Sequence, residues 1–298
     1  MQDNFLNDYF KKKRRRIFKG TILFISLLVF LLLANFISNI EKSSFAKISI
    51  DEVILNNEDY LIALETIKEN SNIKGLLISI NSPGGTVVSS QELFQKISTI
   101  AEKIPVVVSM KEVAASGGYL VALAANKIYS YPGTITGSIG VILQSANITN
   151  LLEKLGVKPV IFKSGKMKAT PNPFEDSQLD SNESIQNIIK EMHSQFLNLV
   201  VKKRNLKNEE HLKIISDGRI FTGTQAKKVN LIDELGSEQD AVNWLKDEAK
   251  ITGEINIIDF NSNEKFKNFL NHFSIKKFFS GNYTYTSGIF AIWTPYYE

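Results

Sequence analysis

Short apolar runs alternate with amphipathic segments along residues 46–204 of this 298-residue chain. Continuous apolar runs between turn residues predict buried strands, whereas apolar residues three and four apart predict helices with one buried face. The predicted strands are 46–55, 76–80, 104–110, 127–133 and 157–165. The predicted helices are 59–70, 88–103, 116–125, 148–156 and 182–204. Strands that alternate with helices in this way indicate βαβ units, a mostly parallel sheet and the α/β class.

The longest apolar run lies near the N-terminus, from Gly20 to Ile40, and contains no charged residue. At about 1.5 Å per helical residue, this run is long enough to cross a bilayer core of about 30 Å. Seven Lys and Arg precede it within residues 1–19. By the positive-inside rule they keep the N-terminus cytoplasmic and place the remaining chain outside the cytoplasm. A cleaved signal peptide is the competing interpretation, but the run is long for one and no clear A-x-A site follows.

The sequence therefore predicts four parts, which differ in charge and in apolar content. They are a cytoplasmic basic segment (1–19), a transmembrane anchor (20–40), an α/β domain (41–252) and an aromatic-rich extension (253–298). The aromatic and lysine residues of 264–298 are typical of a membrane interface, or of packing against the domain or a neighbouring subunit. The polar stretch 171–183 predicts a flexible loop.

Composition narrows the possible classes of function. The net charge is +4, and residues 1–19 contribute +5, so the rest of the chain carries −1 and is not expected to bind nucleic acid. The chain has no cysteine, which excludes disulfides and thiolate metal sites. It also lacks a His/Asp/Glu cluster with ligand spacing and a G-x-x-x-x-G-K-[ST] motif. We therefore expect no metal, no ATP and no other cofactor.

A candidate nucleophile, Ser116, follows the predicted strand 104–110. The string Ala-Ala-Ser-Gly-Gly (114–118) places this serine at a strand-to-helix turn, where small neighbours let a substrate approach. The N-terminus of the following helix favours negative charge nearby. The alternative is an ordinary serine that caps a helix, and the string alone does not decide between them.

A second glycine turn, Asn-Ser-Pro-Gly-Gly (81–85), ends the predicted strand 76–80. Open α/β sheets bind their ligands at the carboxyl ends of strands. The backbone N–H of Gly84 or Gly85, together with that of Gly117, is predicted to stabilise an oxyanion. One such donor contributes about 3 kcal/mol in the transition state. A simple strand-to-helix turn fits the same residues.

A general base has to be sought among the lysines, because the three histidines lie in surface-like settings: His193, His211 and His272. Serine–lysine pairs are a known variant of the catalytic triad. Free lysine has a pKa of about 10.4, so a lysine base needs a partly apolar pocket that favours its neutral form. The string KSGKMKA (163–169) contains three candidates that the residues alone do not distinguish: Lys163, Lys166 and Lys168. The hydroxyl of Ser138 is a candidate partner for the lysine amine.

Five strings occur together in one order: NSPGG (81–85), ASGGYLVA (115–122), YPGTITGSIGV (131–141), KSGKMKA (163–169) and DGRIFTGTQAKKVNLIDELG (217–236). As a set they resemble the signal peptide peptidase A, or S49, family of serine peptidases, in its short form with one domain and an N-terminal anchor. The resemblance implies a crotonase-like or ClpP-like spiral of βαβ units in residues 41–252. It implies Ser116 as nucleophile, Lys168 as general base and Ser138 as the hydroxyl that positions the lysine. It also places the oxyanion hole at the Pro-Gly-Gly turn and Gly117.

The resemblance further implies a homo-oligomer that acts on peptides, namely signal peptides left in the membrane after cleavage. It implies contact with membrane lipid and a single-pass protein of the bacterial inner membrane, with its catalytic domain on the periplasmic side. Two competing functions are a quality-control protease for envelope proteins and a non-catalytic membrane scaffold. An acyl-CoA enzyme on the same fold is disfavoured, since the anchor places the domain where CoA is scarce.

Two positions depart from the family pattern. Asn230 stands where the family commonly has glycine before Leu-Ile-Asp, which predicts a somewhat different turn. The strand region 45–55 is short and lacks the usual glycine-containing start. Neither departure touches the proposed Ser–Lys pair.

Overall fold

The computed structural model describes residues 21, 26, 43–176, 179–260 and 290–292. Residues Ser44–Glu298 form one compact unit and Met1–Ser43 another, in which Thr21 and Ser26 are helical. Within the described part of the chain, no helix has both the length and the apolar character needed to cross a membrane.

Three sequence predictions fall largely or wholly outside the described residues. The basic segment 1–19 is not described, and of the predicted anchor 20–40 only two residues are. In the aromatic stretch 264–298 only residues 290–292 are described. The anchor and the surface role of the extension therefore stay predictions.

The strands of the compact unit, in chain order, are β1 (Ser44–Asp51), β2 (Ile73–Ser82), β3 (Gly84–Thr86), β4 (Val106–Ala115), β5 (Lys127–Ser130), β6 (Ile135–Gly137), β7 (Ile220–Thr222), β8 (Glu234–Leu235), β9 (Asn256–Asp259) and β10 (Phe290–Ile292). The helices are α1 (Glu58–Glu69), α2 (Val87–Ala101), α3 (Gly117–Ala122), α4 (Thr149–Lys154), α5 (Leu179–Arg204), α6 (Glu209–Ile215), α7 (Gly223–Lys228) and α8 (Glu238–Glu248). This alternation confirms the predicted α/β class.

Eight strands form one sheet in the order β7-β6-β4-β2-β1-β9, and β5 and β8 extend it from β4. All neighbouring strands run parallel except β6 and β7, which are antiparallel. The central strands β2 and β4 are buried along most of their length, as expected for a parallel sheet covered on both faces. Their continuous apolar sequences follow from this double burial.

Helices cover both faces of the sheet and enclose two apolar clusters. On one face, Val242 and Leu245 of α8 pack with Phe45, Leu77 and Val107. On the other face, α1, α2 and α3 pack against the larger cluster. Residues alternate between the two faces along each strand, so both clusters stabilise the same central strands and hold their carboxyl ends in fixed positions.

The predicted strand 157–165 is wrong. None of these residues is in a strand or pairs with a described strand. The string VKPVIF has the apolar character of a strand, but the chain leaves it on the surface, where the side chain of Phe162 is 93% exposed. An apolar run specifies a strand only when a sheet edge is free to pair with it.

Several other helices and strands begin or end a few residues away from their predicted boundaries. The first strand begins and ends earlier than 46–55, at Ser44 and Asp51. Helix α5 begins at Leu179 and so takes in the end of the predicted loop 171–183.

Candidate active site

Three glycine- and serine-containing strings meet at one edge of the sheet. They follow β2, β4 and β6, which are neighbours in the sheet order and run parallel. The carboxyl ends of neighbouring parallel strands lie side by side, so the residues after each strand lie close together. Long-range pairing thus brings the turn at 82–85, the turn at 115–118 and Ser138 to one place.

Ser116 follows β4 directly and caps α3 with an unusual backbone conformation. Its φ is 51° and its ψ is −115°, and its side chain is 1% exposed. Its N–H donates to the carbonyl of Gly137 at 2.8 Å, which ties the turn to the end of β6. A positive φ is unfavourable for serine, and such strain concentrates at functional turns. A strand-to-helix turn of this kind presents a serine hydroxyl at the top of a sheet.

The register of β2 against β4 changes just before this turn. Ile80 pairs with Met110, whereas Ser82 pairs with Ala114, so β4 contains extra residues here. The side chain of Asn81 stabilises the irregular section by accepting from the N–H of Val113 at 3.2 Å. Bulges redirect side chains next to active sites, and this one lies directly before the candidate nucleophile.

The two glycine turns contact each other. A side-chain carbon on Gly117 would lie 3.0 Å from the Gly85 nitrogen and 2.5 Å from the hydroxyl of Ser90. Close approach therefore favours glycine at position 117, and the Gly85 N–H lies beside the residue that follows Ser116.

The two predicted donors of the Pro-Gly-Gly turn differ in their surroundings. The N–H of Gly84 already donates to the hydroxyl of Ser82 at 3.2 Å. Gly85 is the residue that faces Gly117. Of the two alternatives, the geometry favours Gly85 as the partner of Gly117 in an oxyanion hole.

Ser138 lies one residue beyond the pair formed by Ala115 and Gly137. Ser116 occupies the equivalent position on its own strand, so the two serines end neighbouring parallel strands. Ser138 is 9% exposed, has a φ of 50°, and donates its N–H to the carbonyl of Arg219 at 2.9 Å. The structure thus brings Ser138 beside the candidate nucleophile.

The structure distinguishes the three lysines of the string 163–169. Lys163 forms an ion pair with Glu175, and Lys166 lies 3.8 Å from a carboxylate oxygen of Asp180. Lys168 makes no ion pair within the described part of the chain, and its N–H donates to the carbonyl of Gly165 at 3.0 Å.

The expected apolar pocket around Lys168 is not formed in this structure, where the lysine is exposed. The adjoining residues 157–165 do not join the sheet, and so nothing packs over this turn. A cavity of about 140 Å³ nearby is lined by Lys163 and Lys166 instead. The described contacts do not join Lys168 to Ser116 or to Ser138.

His193, which the sequence predicts to be a surface histidine, lies partly inside the domain. It is half-buried and lines a cavity of about 370 Å³ together with Ser138, Ile189 and Asp217. Its Nε2 is buried without a hydrogen-bond partner among the described residues. The spacing of Ile189 and His193, four residues apart on α5, was the only sequence signal for this shared face.

Helix α5 is fixed to the string 217–236 at its C-terminal end. The guanidinium of Arg204 makes two bonds to the carboxylate of Asp233, at 3.0 and 3.1 Å, and a third to the carbonyl of Asn230 at 2.7 Å. Bidentate pairs of this kind orient the elements that carry them. Asn230 has a φ of 60°, which glycine adopts freely and asparagine tolerates. Asn230, which stands where the family commonly has glycine, therefore allows the left-handed turn that a glycine would form.

Tyr119 secures α3 behind the nucleophile turn. Its side chain is fully buried, and its hydroxyl donates to the carbonyl of Leu231 at 2.7 Å. Burial raises the pKa of the Tyr119 phenol well above its ordinary value of about 10. Above pH 10 the unfolded chain releases this proton while the folded chain keeps it. The contribution to stability is therefore complete below pH 10 and falls as the pH rises, by about 1.4 kcal/mol per pH unit.

We expect the substitution Tyr119→Phe to show this linkage. At pH 8 it should destabilise the protein by about 1–3 kcal/mol, because the Leu231 carbonyl loses its donor. Above pH 10 this deficit should shrink by about 1.4 kcal/mol per unit, since phenylalanine has no proton to lose. Urea unfolding of both full-length proteins at pH 8, 10 and 11 measures the difference. A deficit that is constant over this range would contradict the assignment.

Comparison with known proteins identifies the family of this chain. The model of peptidase family S49 matches residues 99–252, and a Clp protease model matches residues 46–145. The chain is 38% identical over 198 residues to “Putative signal peptide peptidase SppA” of Enterococcus faecium. This match covers 66% of this chain and 57% of that protein. It is 45% identical over 185 residues to a protein of Synechocystis named as a putative protease. That match covers 62% of this chain and 66% of the Synechocystis protein.

The chain belongs to peptidase family S49, whose model matches more than half of it and includes Ser116, Ser138 and Lys168. Its fold is of the α/β, ClpP-like class. Among solved structures, a ClpP1 mutant from Listeria monocytogenes covers 66% of this chain and 94% of its own, with a TM-score of 0.44 and 22% identity. The matched regions span less than two thirds of both named relatives.

Proposed function

We propose that this protein is a membrane-anchored serine endopeptidase that uses Ser116 as nucleophile and Lys168 as general base. The observation that carries the proposal is the strained turn at Ser116, with the N–H of Gly85 beside Gly117. A hydrolase needs a nucleophile next to preorganised donors for the oxyanion. Membership of family S49 supports the same reaction.

In the proposed reaction, the hydroxyl of Ser116 attacks a peptide carbonyl while neutral Lys168 accepts the hydroxyl proton. The tetrahedral oxyanion accepts hydrogen bonds from the N–H groups of Gly85 and Gly117. The lysine then returns the proton to the leaving amine, which departs with the C-terminal part of the substrate. Water hydrolyses the acyl-enzyme in a second round of the same steps. The hydroxyl of Ser138 orients the lysine amine.

Lys168 is the best of the three lysines for this role. The side-chain amines of Lys163 and Lys166 are each engaged by a carboxylate. Lys168 has no such partner in the described part of the chain. It still needs desolvation, which the single chain does not provide at this exposed turn.

Assembly into a homo-oligomer would provide that desolvation. The surface segment that precedes and follows Lys168 exposes large apolar side chains: Leu151, Leu155, Val157, Val160, Phe162 and Leu179. Exposed apolar side chains in this number are typical of a surface that is covered by another subunit. We propose that a second copy covers this segment and excludes water from the lysine.

The proposed substrates are signal peptides that remain in the membrane after cleavage. The uncharged run 20–40 would anchor the chain in the bacterial inner membrane, with the catalytic domain on the periplasmic side. An anchored peptidase would meet apolar peptides by diffusion within the same bilayer. Quality control of envelope proteins is the competing function and predicts a different substrate preference.

We expect the full chain, in detergent, to cleave an apolar peptide of signal-peptide length at least tenfold faster than a folded protein at equal mass concentration. An extended peptide needs no unfolding before it reaches the buried Ser116, whereas a folded protein does. Mass spectrometry of the products measures both rates, and the Ser116→Ala protein serves as the control for contaminating peptidases. Faster cleavage of the folded protein would favour quality control. No cleavage of either substrate would favour the non-catalytic scaffold.

A further inference from the structure

A hydroxyl that orients a lysine base needs a hydrogen-bond acceptor of its own. In the proposed reaction the neutral lysine amine directs its lone pair at the hydroxyl of Ser116, so the amine can only donate to Ser138. The oxygen of Ser138 accepts that bond, and the Ser138 O–H is then left to donate to a third group. In the part of the chain that the structure describes, the Ser138 hydroxyl has no such partner.

Ser138 lies on the wall of a cavity that helix α5 covers. The cavity has a volume of about 370 Å³ and is lined by Ile189 and His193 of α5 and by residues 216–218, which precede β7. A polar cavity of this size has room for ordered water. A hydroxyl on one wall can therefore bond to a polar atom on another wall either directly or through one water molecule.

His193 carries a buried acceptor into this cavity. It lies on the same face of α5 as Phe196 and Val200, which are buried in the domain. Its Nε2 is buried and has no hydrogen-bond partner among the described residues. A neutral imidazole with its proton on Nδ1 accepts at Nε2. A buried polar atom without a partner costs stability, which indicates that the cavity supplies one.

The other polar side chains of the cavity are less suited to accept from Ser138. Lys190 has no acceptor and is exposed. The hydroxyl of Ser216 donates to a carbonyl of α6 at 3.2 Å. The exposed carboxylate of Asp217 accepts from the backbone N–H of Arg219 at 3.1 Å and from its guanidinium at 2.9 Å. Among these lining groups, His193 is therefore the buried acceptor that lacks a donor.

We infer that His193 is a positioning residue whose Nε2 accepts the O–H of Ser138, directly or through one water molecule. Three hydrogen bonds then run in one direction: from Ser116 to the lysine nitrogen, from the lysine to Ser138, and from Ser138 to His193. This order keeps the lone pair of the amine directed at Ser116. His193 exchanges no proton with the substrate. The inference rests on the proposed function, since it takes Ser138 as the hydroxyl that orients Lys168.

The first test compares three variants of the full chain in detergent, with an apolar fluorogenic peptide as substrate. His193→Leu should lower kcat about 3- to 10-fold, the equivalent of one hydrogen bond, and leave KM within about twofold. His193→Gln retains an acceptor of similar reach and should restore kcat to within about twofold of wild type. His211→Leu is the matched control, because the Nδ1 of His211 is also buried without a described partner but does not line the cavity.

The second test repeats His193→Leu in the Ser138→Ala protein. With no hydroxyl left to orient, the substitution should change kcat by less than about twofold. A structural role of His193 would cost the same in both backgrounds. The rate at which a fluorophosphonate labels Ser116 gives the same comparison for variants that turn over too slowly.

Two results would overturn the inference. One is equal kcat in His193→Leu and wild type, and the other is a full 3- to 10-fold loss that persists in the Ser138→Ala background. A loss that His193→Gln does not restore would indicate that His193 itself accepts the proton, which also contradicts a positioning role. The proposed function fails on a different readout, namely hydrolysis that persists after Ser116→Ala.

Discussion

Replacing Ser116 by alanine is expected to lower kcat/KM for an apolar fluorogenic peptide by roughly 10⁴- to 10⁶-fold. The physical reason is that no other group takes its place at the strained turn between β4 and α3, where the proposed oxyanion donors Gly85 and Gly117 lie close together. The loss should lie in kcat, because the hydroxyl acts in the bond-forming step and contributes little to substrate binding. Initial rates over a range of peptide concentrations separate the two constants.

The matched control for this substitution is Ser109→Ala, at a buried serine of β4, the strand that ends just before Ser116. The Ser109 hydroxyl has no hydrogen-bond partner among the described residues, so its removal should leave activity within a few-fold of wild type. The circular dichroism of both variants reports whether they fold. Residual hydrolysis by a folded Ser116→Ala protein at more than about a tenth of the wild-type rate would exclude Ser116 as the nucleophile.

Replacing Lys168 by alanine is expected to lower kcat by about 10²- to 10⁴-fold, the usual contribution of general-base catalysis. Lys163→Ala and Lys166→Ala are the matched controls from the same turn. Their amines are engaged by carboxylates and have no role in the proposed reaction, so their loss should lower kcat much less. Because Lys163 forms an ion pair with Glu175, the Lys163→Ala substitution could also affect folding. The activity of this variant is therefore interpreted only after circular dichroism shows that it folds.

The three lysine variants together decide the identity of the base. A Lys168→Ala protein that stays folded and active would show that another group accepts the proton. His193 would then become the candidate, because it lines the cavity next to Ser138 and its Nε2 has no partner in the described structure. In that case His193→Ala should lose the activity that Lys168→Ala keeps.

The parts of the fold that the sequence predicts well are those in which local pattern and long-range pairing agree. The apolar runs of β2 and β4 are buried on both faces, so their sequences are nearly continuous in apolar residues. The glycines and serines after these strands mark the turns, and parallel pairing then brings the turns together. For this reason the sequence offers Ser116, Ser138 and the turn at Gly84 and Gly85 as candidates, and the structure places them at one edge of the sheet.

The parts that the sequence misses depend on contacts between distant residues. The run 157–165 has the pattern of a strand, yet no described strand pairs with it. The choice between Gly84 and Gly85 as the oxyanion donor depends on the hydroxyl of Ser82 and on the approach of Gly117. Neither contact can be predicted from the local sequence. The pairing of β10 with β3 joins residues about 200 positions apart and has no local signal.

In a single chain, Lys168 lacks the surroundings that a general base requires. The lysine is exposed, and the described contacts do not join it to Ser116 or Ser138. A lysine base requires an environment that excludes water. The apolar side chains around it, with Phe162 93% exposed, support a second copy as the source of that environment.

The measurement that tests the central claim most directly is a double-mutant comparison of peptide hydrolysis by the full chain. The four proteins are wild type, Ser116→Ala, Lys168→Ala and the combined variant. If the two residues act as one unit, the combined variant should be no slower than Ser116→Ala alone, because the lysine has no proton to accept once the hydroxyl is gone. Losses that multiply in the combined variant would contradict a Ser116–Lys168 pair.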